Sequence, residues 1–241
     1  MTLEGVLFLA ARTARSQAYA QCMAARGLDP EQVLIYGGNK SGRPGQNVDV
    51  SFENVEQPIF VPDLSVPLED SCKSRQWDIT TLASESVNTP EIVQTLRDIS
   101  PKLVVYSGYG GEIVSAELLG LNAPFLHIHG GWLPDFRGST TIYYSILRER
   151  NCSASAILLS NEIDTGPVIA RESYPVPPAG VDVDYVYDSA IRADLLVKVL
   201  GDYTNQGGWR TLSPQTSEEG RDYYVIHPVL KHLAMLAIGN R

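Results

Sequence analysis

The sequence predicts an α/β fold, a doubly wound and mostly parallel sheet with a short helical extension at its C-terminal end. Three observations predict it. Short apolar runs alternate with helix-periodic segments from residue 5 onward, the pattern of βαβ units and parallel pairing. The chain has 241 residues, 44% of them hydrophobic, enough for one α/β core and a modest extension. Glycine- and proline-rich turns follow the central apolar runs, where open α/β sheets place their ligand loops.

In chain order, Gly5 to Ala10 is predicted as a strand, Ser16 to Arg26 as a helix and Gln32 to Tyr36 as a second strand. Gly37 to Gln46 (GGNKSGRPGQ) is a turn-rich loop, and the segment from there to Ser71 has scattered prolines and acids with no period that assigns an element. Trp77 to Leu82 predicts a strand, Pro90 to Ile99 a helix introduced by Thr89, and Leu103 to Tyr106 a strand leading into a Tyr-Gly turn. Phe125 to His129 is a short apolar run that reads as a buried strand. Ser139 to about Arg150 predicts a helix, with Ile142, Ser145, Ile146 and Glu149 spaced as helix neighbours and Ser139 suited to cap the first turn. Ala154 to Ser160 is predicted as another strand. Pro175, Pro177 and Pro178 break the pattern, and helices are expected over Asp184 to Tyr203 and Val229 to Ile238. No internal repeat is present. The organisation expected is a core over residues 1–178 and an extension over 179–241 that packs on the core or forms a homodimer surface.

Alternation along a strand sends His127 and His129 to one face, so two imidazoles meet one pocket. Gly130, Gly131, Pro134 and Gly138 force an irregular loop off the strand end, and Asp164 follows the next strand in an IDTG turn, 35 residues after His129. Two histidines and an aspartate suit proton transfer and charge stabilisation. They are also ordinary zinc ligands, although histidines two apart on a strand are weakly diagnostic of a metal, and none is expected. His227 and His232 are read as structural. Arg12 and Arg15, between the first strand and its helix, are placed either to bind phosphate at the helix start or to sit on the surface. Arg137 is either a solvated loop charge or a partner for an acceptor phosphate or carboxylate.

At these residues the chain resembles the folate-dependent formyltransferase family. That family's core reads Asn-x-His, a Leu-Pro loop ending in an aromatic, a basic residue and glycine, then Asp-Thr-Gly or Asp-Ala-Gly. The matches are His129, Leu133-Pro134, Phe136-Arg137-Gly138 and Asp164-Thr165-Gly166, with Leu103 to Ile113 (LVVYSGYGGEI) similar to the family strand and Tyr-Gly turn of the folate pocket. The resemblance runs in order from about Pro101 to about Pro177. It implies a Rossmann-like formyltransferase fold, 10-formyltetrahydrofolate as donor and a primary amine as acceptor. It further implies catalytic roles for His129 and Asp164, a donor site including Tyr109, Gly110, Ile113, Leu133, Glu162 and Ile163, and substrate contacts from Arg137 and Arg12. Taken alone, Tyr109, Gly110 and Ile113 are also simple turn and core residues. Where the family has asparagine, this chain has His127, and where serine is common in the loop it has Gly131. A histidine can donate the hydrogen bond that the asparagine amide gives the oxyanion, so His127 is expected in that catalytic role.

A net charge of −9 and a pI near 4.9 argue against a large nucleic-acid footprint, because phosphate binding draws on clustered Lys and Arg. Three cysteines without metal spacing, and an apolar run near the start without a basic leader, give the expectation of a reduced cytoplasmic protein with no membrane span. Among family members, methionyl-tRNA formyltransferases carry an added C-terminal nucleic-acid-binding domain, for which the residues after Pro178 are too few. Phosphoribosylglycinamide formyltransferases have a glycine-rich loop where this chain reads AARTARS, and formyltetrahydrofolate hydrolases add an N-terminal regulatory domain. Elimination leaves the sugar N-formyltransferases, and hence a nucleotide-linked amino sugar of surface polysaccharide biosynthesis as acceptor. The alternatives are a folate- or sugar-binding protein without activity, or a hydrolase of the formyl donor.

Overall fold

A computed structural model describes residues 1–37, 59–209, 212–215 and 220–239. Its elements in chain order are β1 (Thr2–Ala11), α1 (Ala14–Arg26), β2 (Asp29–Tyr36), α2 (Leu68–Ser74), β3 (Ile79–Thr81), α3 (Pro90–Ile99), β4 (Leu103–Ser107), α4 (Ala116–Leu119) and β5 (Phe125–His129). There follow β6 (Arg137–Gly138), α5 (Thr141–Glu149), β7 (Cys152–Leu158), β8 (Val168–Tyr174), α6 (Asp188–Gln206), β9 (Asp222–Tyr223) and α7 (Pro228–Gly239). The expected turn-rich loop from Gly37 to Gln46 lies, after its first residue, outside the described residues.

Seven strands form one sheet in the order β3-β2-β1-β4-β5-β7-β8, parallel from β3 to β5 and antiparallel at its last two pairings. The doubly wound, mostly parallel expectation is thus met. The chain leaves β1 toward β2 and β3, then returns to β4 on the other side of β1. That reversal opens a crevice at the C-terminal ends of β1 and β4, where open α/β sheets bind ligands.

Both sheet faces are covered, so the central strands read as continuous apolar runs. Phe8, Val105, Leu126 and Ile128 join Tyr19, Met23, Leu196 and Leu200 of α1 and α6 on one side. Leu9, Val104 and Phe125 pack with Ile92 and Leu96 of α3 and Leu118 of α4 on the other. Helix starts follow local chemistry: the Thr13 hydroxyl accepts from Ser16 N–H at 3.1 Å, and Gly27 ends α1 in the left-handed region.

Two local expectations change. Ser139 does not cap α5: its N–H donates to the Tyr223 carbonyl, and Thr140, at φ 52°, precedes the helix without a side-chain cap. The helix expected from Asp184 begins as a π-helical turn over Val183–Tyr187 and runs as α6 to Gln206. The C-terminal segment also returns to the core. β9 pairs with β6, Tyr223 stacks on Phe136 with ring centroids 5.3 Å apart, and the Gln215 amide donates to the Asp164 carbonyl at 3.1 Å and the Gly166 carbonyl at 2.6 Å.

Cys22, Cys72 and Cys152 are free and buried. Among the described residues, no helix is long and apolar enough to cross a membrane.

Candidate active site

β5 ends on His129 at the C-terminal edge of the sheet, and the loop after β7 brings Asp164 to it. His129 Nδ1 lies 3.3 Å from Asp164 Oδ2, and the two residues are 4% and 9% exposed. His129 Nε2 lies 2.7 Å from the Phe136 carbonyl oxygen. A carbonyl only accepts, so Nε2 carries the proton of a neutral ring. A hydrogen bond between Nδ1 and the carboxylate then needs a second proton, held by an imidazolium or by Asp164 itself. Asp164 Oδ2 also accepts from Gly138 N–H at 2.9 Å, whereas Oδ1 makes no hydrogen bond among the described residues and is not sealed from solvent. The backbone turns sharply to present it, with Asp164 at φ 55°.

The loop between them is held at several points. Ser155 Oγ accepts from Leu133 N–H at 3.0 Å and donates to the Gly131 carbonyl at 2.6 Å, Arg171 Nε donates to the Leu133 carbonyl, and Thr141 donates to the Gly130 carbonyl. Gly131 is required by close packing. A Cβ there would sit 2.8 Å from Phe136 O and 2.9 Å from His129 Nε2.

His127 lies beside the pair on the same face of β5, half-buried, with its ring centroid 6.2 Å from that of Tyr106. Burial, then the charges of Arg15, Arg192 and His129, hold its pKa well below the usual histidine range. The ring is therefore neutral near pH 7 and has a single N–H to give. Its Nδ1 is buried without a protein partner.

The predicted donor residues divide. Ile113 and Ile163 are 58% and 57% exposed, and Glu162, next to Ile163 in the chain, is exposed as well. Tyr109 sits edge-on to Tyr36, ring centroids 5.9 Å apart, and its hydroxyl donates to the Gly37 carbonyl at 3.4 Å; Gly110 continues that turn. Leu133 instead is wholly buried with Ile157 and Val168, so only its backbone faces the loop's contacts. Arg137 is 5% exposed and turned toward Asp222 of β9 at 3.6 Å, and Arg12 donates to Glu69 at 2.7 Å.

Three participants escaped sequence reading. Glu112 gathers Tyr36 OH at 2.5 Å, Tyr106 OH at 3.3 Å and Val87 N–H at 2.8 Å, bracing the Tyr-Gly turn. Arg192 and Asp188 of α6 reach the end of β5. Nothing in their local pattern separates them from ordinary helix surface charges. Among the described residues, no three His, Cys, Asp or Glu side chains converge to hold a metal. A hollow of about 520 Å³ opens at the opposite ends of the strands, between Thr2, Glu31, Ser100 and Lys102, and no histidine borders it.

A mostly parallel α/β sheet thus carries a buried histidine–aspartate pair at its C-terminal edge, where folds of this class bind their ligands. The chain belongs to the formyl transferase family, whose pattern it matches over residues 51–196. Methionyl-tRNA formyltransferase of Chloroflexus aurantiacus is 34% identical over 131 residues, 52% of this chain and 41% of the relative. That of Chloroflexus aggregans is 32% identical over 141 residues, 57% of this chain and 44% of the relative. The chain thus spans less than half the length of these curated relatives. Among solved structures, a sugar N-formyltransferase from a Shewanella species aligns with a TM-score of 0.59 at 16% identity, covering 97% of this chain and 87% of that one. HypX from Aquifex aeolicus in complex with tetrahydrofolic acid aligns at 0.56 and 15% identity, over 98% of this chain and 34% of that one. These likenesses establish the shared fold.

Proposed function

We propose that the protein is an N-formyltransferase that moves a formyl group from 10-formyltetrahydrofolate to a primary amine, the amine of a nucleotide-linked amino sugar. The observation that carries the reading is the buried His129–Asp164 pair, with one carboxylate oxygen open, beside a neutral His127. The donor lies along Tyr109, Gly110, Ile113 and Ile163. The neutral amine attacks the formyl carbon, forming a C–N bond and a tetrahedral oxyanion. With the proton of the pair on the His129 ring, Asp164 Oδ1 takes a proton from the amine nitrogen, directly or through water, and the imidazolium stabilises the developing negative charge. Collapse breaks the bond to the folate nitrogen, which takes up the proton that Asp164 removed from the amine, directly or through water, and leaves as tetrahydrofolate. His127 gives the oxyanion its one N–H in place of the family's asparagine.

The acceptor assignment is supported by the acidic charge, which disfavours a nucleic-acid substrate; the fold itself does not choose, since it overlaps a sugar N-formyltransferase over 97% of this chain and a methionyl-tRNA formyltransferase over 93%. The tRNA reading has its own support, since the curated relatives at 34% and 32% identity are methionyl-tRNA formyltransferases. Incubating the protein with 10-formyltetrahydrofolate and either amino sugars, free and nucleotide-linked, or methionyl-tRNA separates the two. Tetrahydrofolate release that depends on an amino sugar, with a mass gain on that sugar, supports the proposal. Release that depends only on methionyl-tRNA replaces it, donor loss without any amine points to hydrolysis, and folate binding without turnover to a binding protein.

A further inference from the structure

Arg15, in the first turn of α1, donates Nε to Ser107 Oγ at 3.3 Å and Nη2 to the Gly108 carbonyl, at the end of β4. Arg192, in the second turn of α6, donates Nη1 to the Ile128 carbonyl at 2.9 Å, at the end of β5, and its Nε lies 2.8 Å from Asp188 Oδ2. Since β4 and β5 are neighbours in the sheet, the two guanidinium groups stand over adjacent strand ends. Gly130 leaves the space they occupy: a Cβ there would come within 2.6 Å of Asp188 Oδ1 and still closer to Arg192 Nη2.

Among the described residues, no carboxylate pairs directly with Arg15. Arg192 is paired with Asp188, whereas the partners of Arg15 are a hydroxyl and a carbonyl, both neutral. Buried charges are ordinarily paired, because leaving one uncompensated in a low-dielectric site is costly. Among the described residues, Tyr19 OH and Asp188 Oδ1 are also buried there without a hydrogen-bond partner. Arg15 Nη1 and Arg192 Nη2, in contrast, make no hydrogen bond among the described residues yet are not sealed from solvent. One donor group on each guanidinium is therefore free to point at a common guest.

We infer that Arg15 and Arg192 form a subsite for one oxyanion of the acceptor, a carboxylate or phosphate carried by the molecule whose amine is formylated. The placement suits an acceptor rather than a donor. The exposed Ile113 and Ile163 belong to the loops after β4 and β7, whereas the two arginines come from α1 and α6, whose apolar residues pack on the opposite face of the sheet. Arg192 holds the carbonyl of Ile128, the residue before His129, so an oxyanion held there directs its amine toward the His129–Asp164 pair. Two forked guanidiniums provide directional recognition that a lysine pair would not. The inference rests on the formyltransferase reading for the word acceptor, but the anion site itself does not.

The test uses acetate and methyl phosphate as probes on the full chain, at constant ionic strength, with acetamide as the uncharged control. Calorimetric titration of the wild type is expected to detect binding of at least one anion and none of acetamide. Arg15→Gln is the decisive variant, since its lost partners are neutral and the fold is expected to survive. It should weaken binding at least tenfold, with Arg15→Lys intermediate, because charge remains while the fork is lost. Absence of binding by either anion to the wild type, or binding by Arg15→Gln within twofold of it, overturns the inference. Turnover of 10-formyltetrahydrofolate on paired amines, with and without an anionic group, keeps the two ideas separable. Anion binding through Arg15 with no amine formylated ends the formyltransferase reading and leaves the subsite standing. Formylation of charged and neutral amines with equal kcat/KM, unaffected by the probes, ends the assignment of this subsite to the acceptor.

Discussion

Replacing Gly131 with alanine probes how tightly the loop holds the His129 ring. The new Cβ would lie 2.8 Å from Phe136 O, 2.9 Å from His129 Nε2 and 3.1 Å from Phe136 Cβ. To regain ordinary contact, the first pair must separate by about 0.6 Å in a loop whose neighbours are close-packed. Neither atom has free room to move. Phe136 is wholly buried, and the imidazole is held at 2.7 Å by that same carbonyl. Overpacking of this kind costs about 1–3 kcal/mol, and the stretched hydrogen bond about 0.5–1.5 kcal/mol more. Gly131→Ala should therefore lower the stability measured by urea unfolding by about 1.5–4.5 kcal/mol. A displaced imidazole should also lower turnover, since misplacement by about 1 Å costs on the order of 10²-fold. An unchanged urea midpoint together with wild-type turnover would refute the reasoning, because it would mean that the ring and Phe136 carbonyl are not locked together. Gly131→Ser, which installs the residue common in the family, should behave in the same way.

His127 gives a pH dependence. Its folded pKa lies well below the usual value of about 6.5, so between those two values the unfolded chain binds a proton that the folded chain does not. Stability attributable to this group should rise with pH up to about 6.5 and level off above it; subtracting the Tm profile of His127→Gln from that of the wild type should isolate the slope, and a flat difference would count against a buried neutral ring. Tyr223→Ala removes ring contacts to Phe136 and Tyr144 and the hydroxyl that Arg148 meets. It should destabilise by roughly 1–3 kcal/mol in urea and lower turnover as the loop loosens. An unchanged midpoint would show that the C-terminal segment does not brace the site.

Much of the frame was legible because local and global signals agreed. The apolar run at Phe125–His129 and the periodic segment at Pro90–Ile99 form the elements expected, with the same bounds. The His129–Asp164 pairing was also legible, through the order of motifs rather than through either residue alone. What stayed hidden is non-local. Val168–Tyr174 is the outermost strand of the sheet, half-buried along most of its length, and its sequence VIARESY lacks the apolar run of an inner strand. Arg137 looked like a loop charge or a substrate contact, and its turn toward Asp222 depends on a β6–β9 pairing made by residues 85 positions apart in the chain. Arg192 and Asp188 read as one more i,i+4 pair on a helix, and only the packing of α6 against the sheet carries them to the end of β5.

The central claim, that His129 and Asp164 perform formyl transfer rather than merely brace the fold, is tested most directly by single-turnover kinetics with saturating 10-formyltetrahydrofolate on wild type, His129→Gln and Asp164→Asn, with folate affinity measured alongside. Loss of acid–base and charge stabilisation should slow the chemical step by on the order of 10²-fold to 10⁴-fold in each variant, while tetrahydrofolate affinity and secondary structure stay near wild type. Transfer at the wild-type rate in either variant, with folate still bound, would contradict the account.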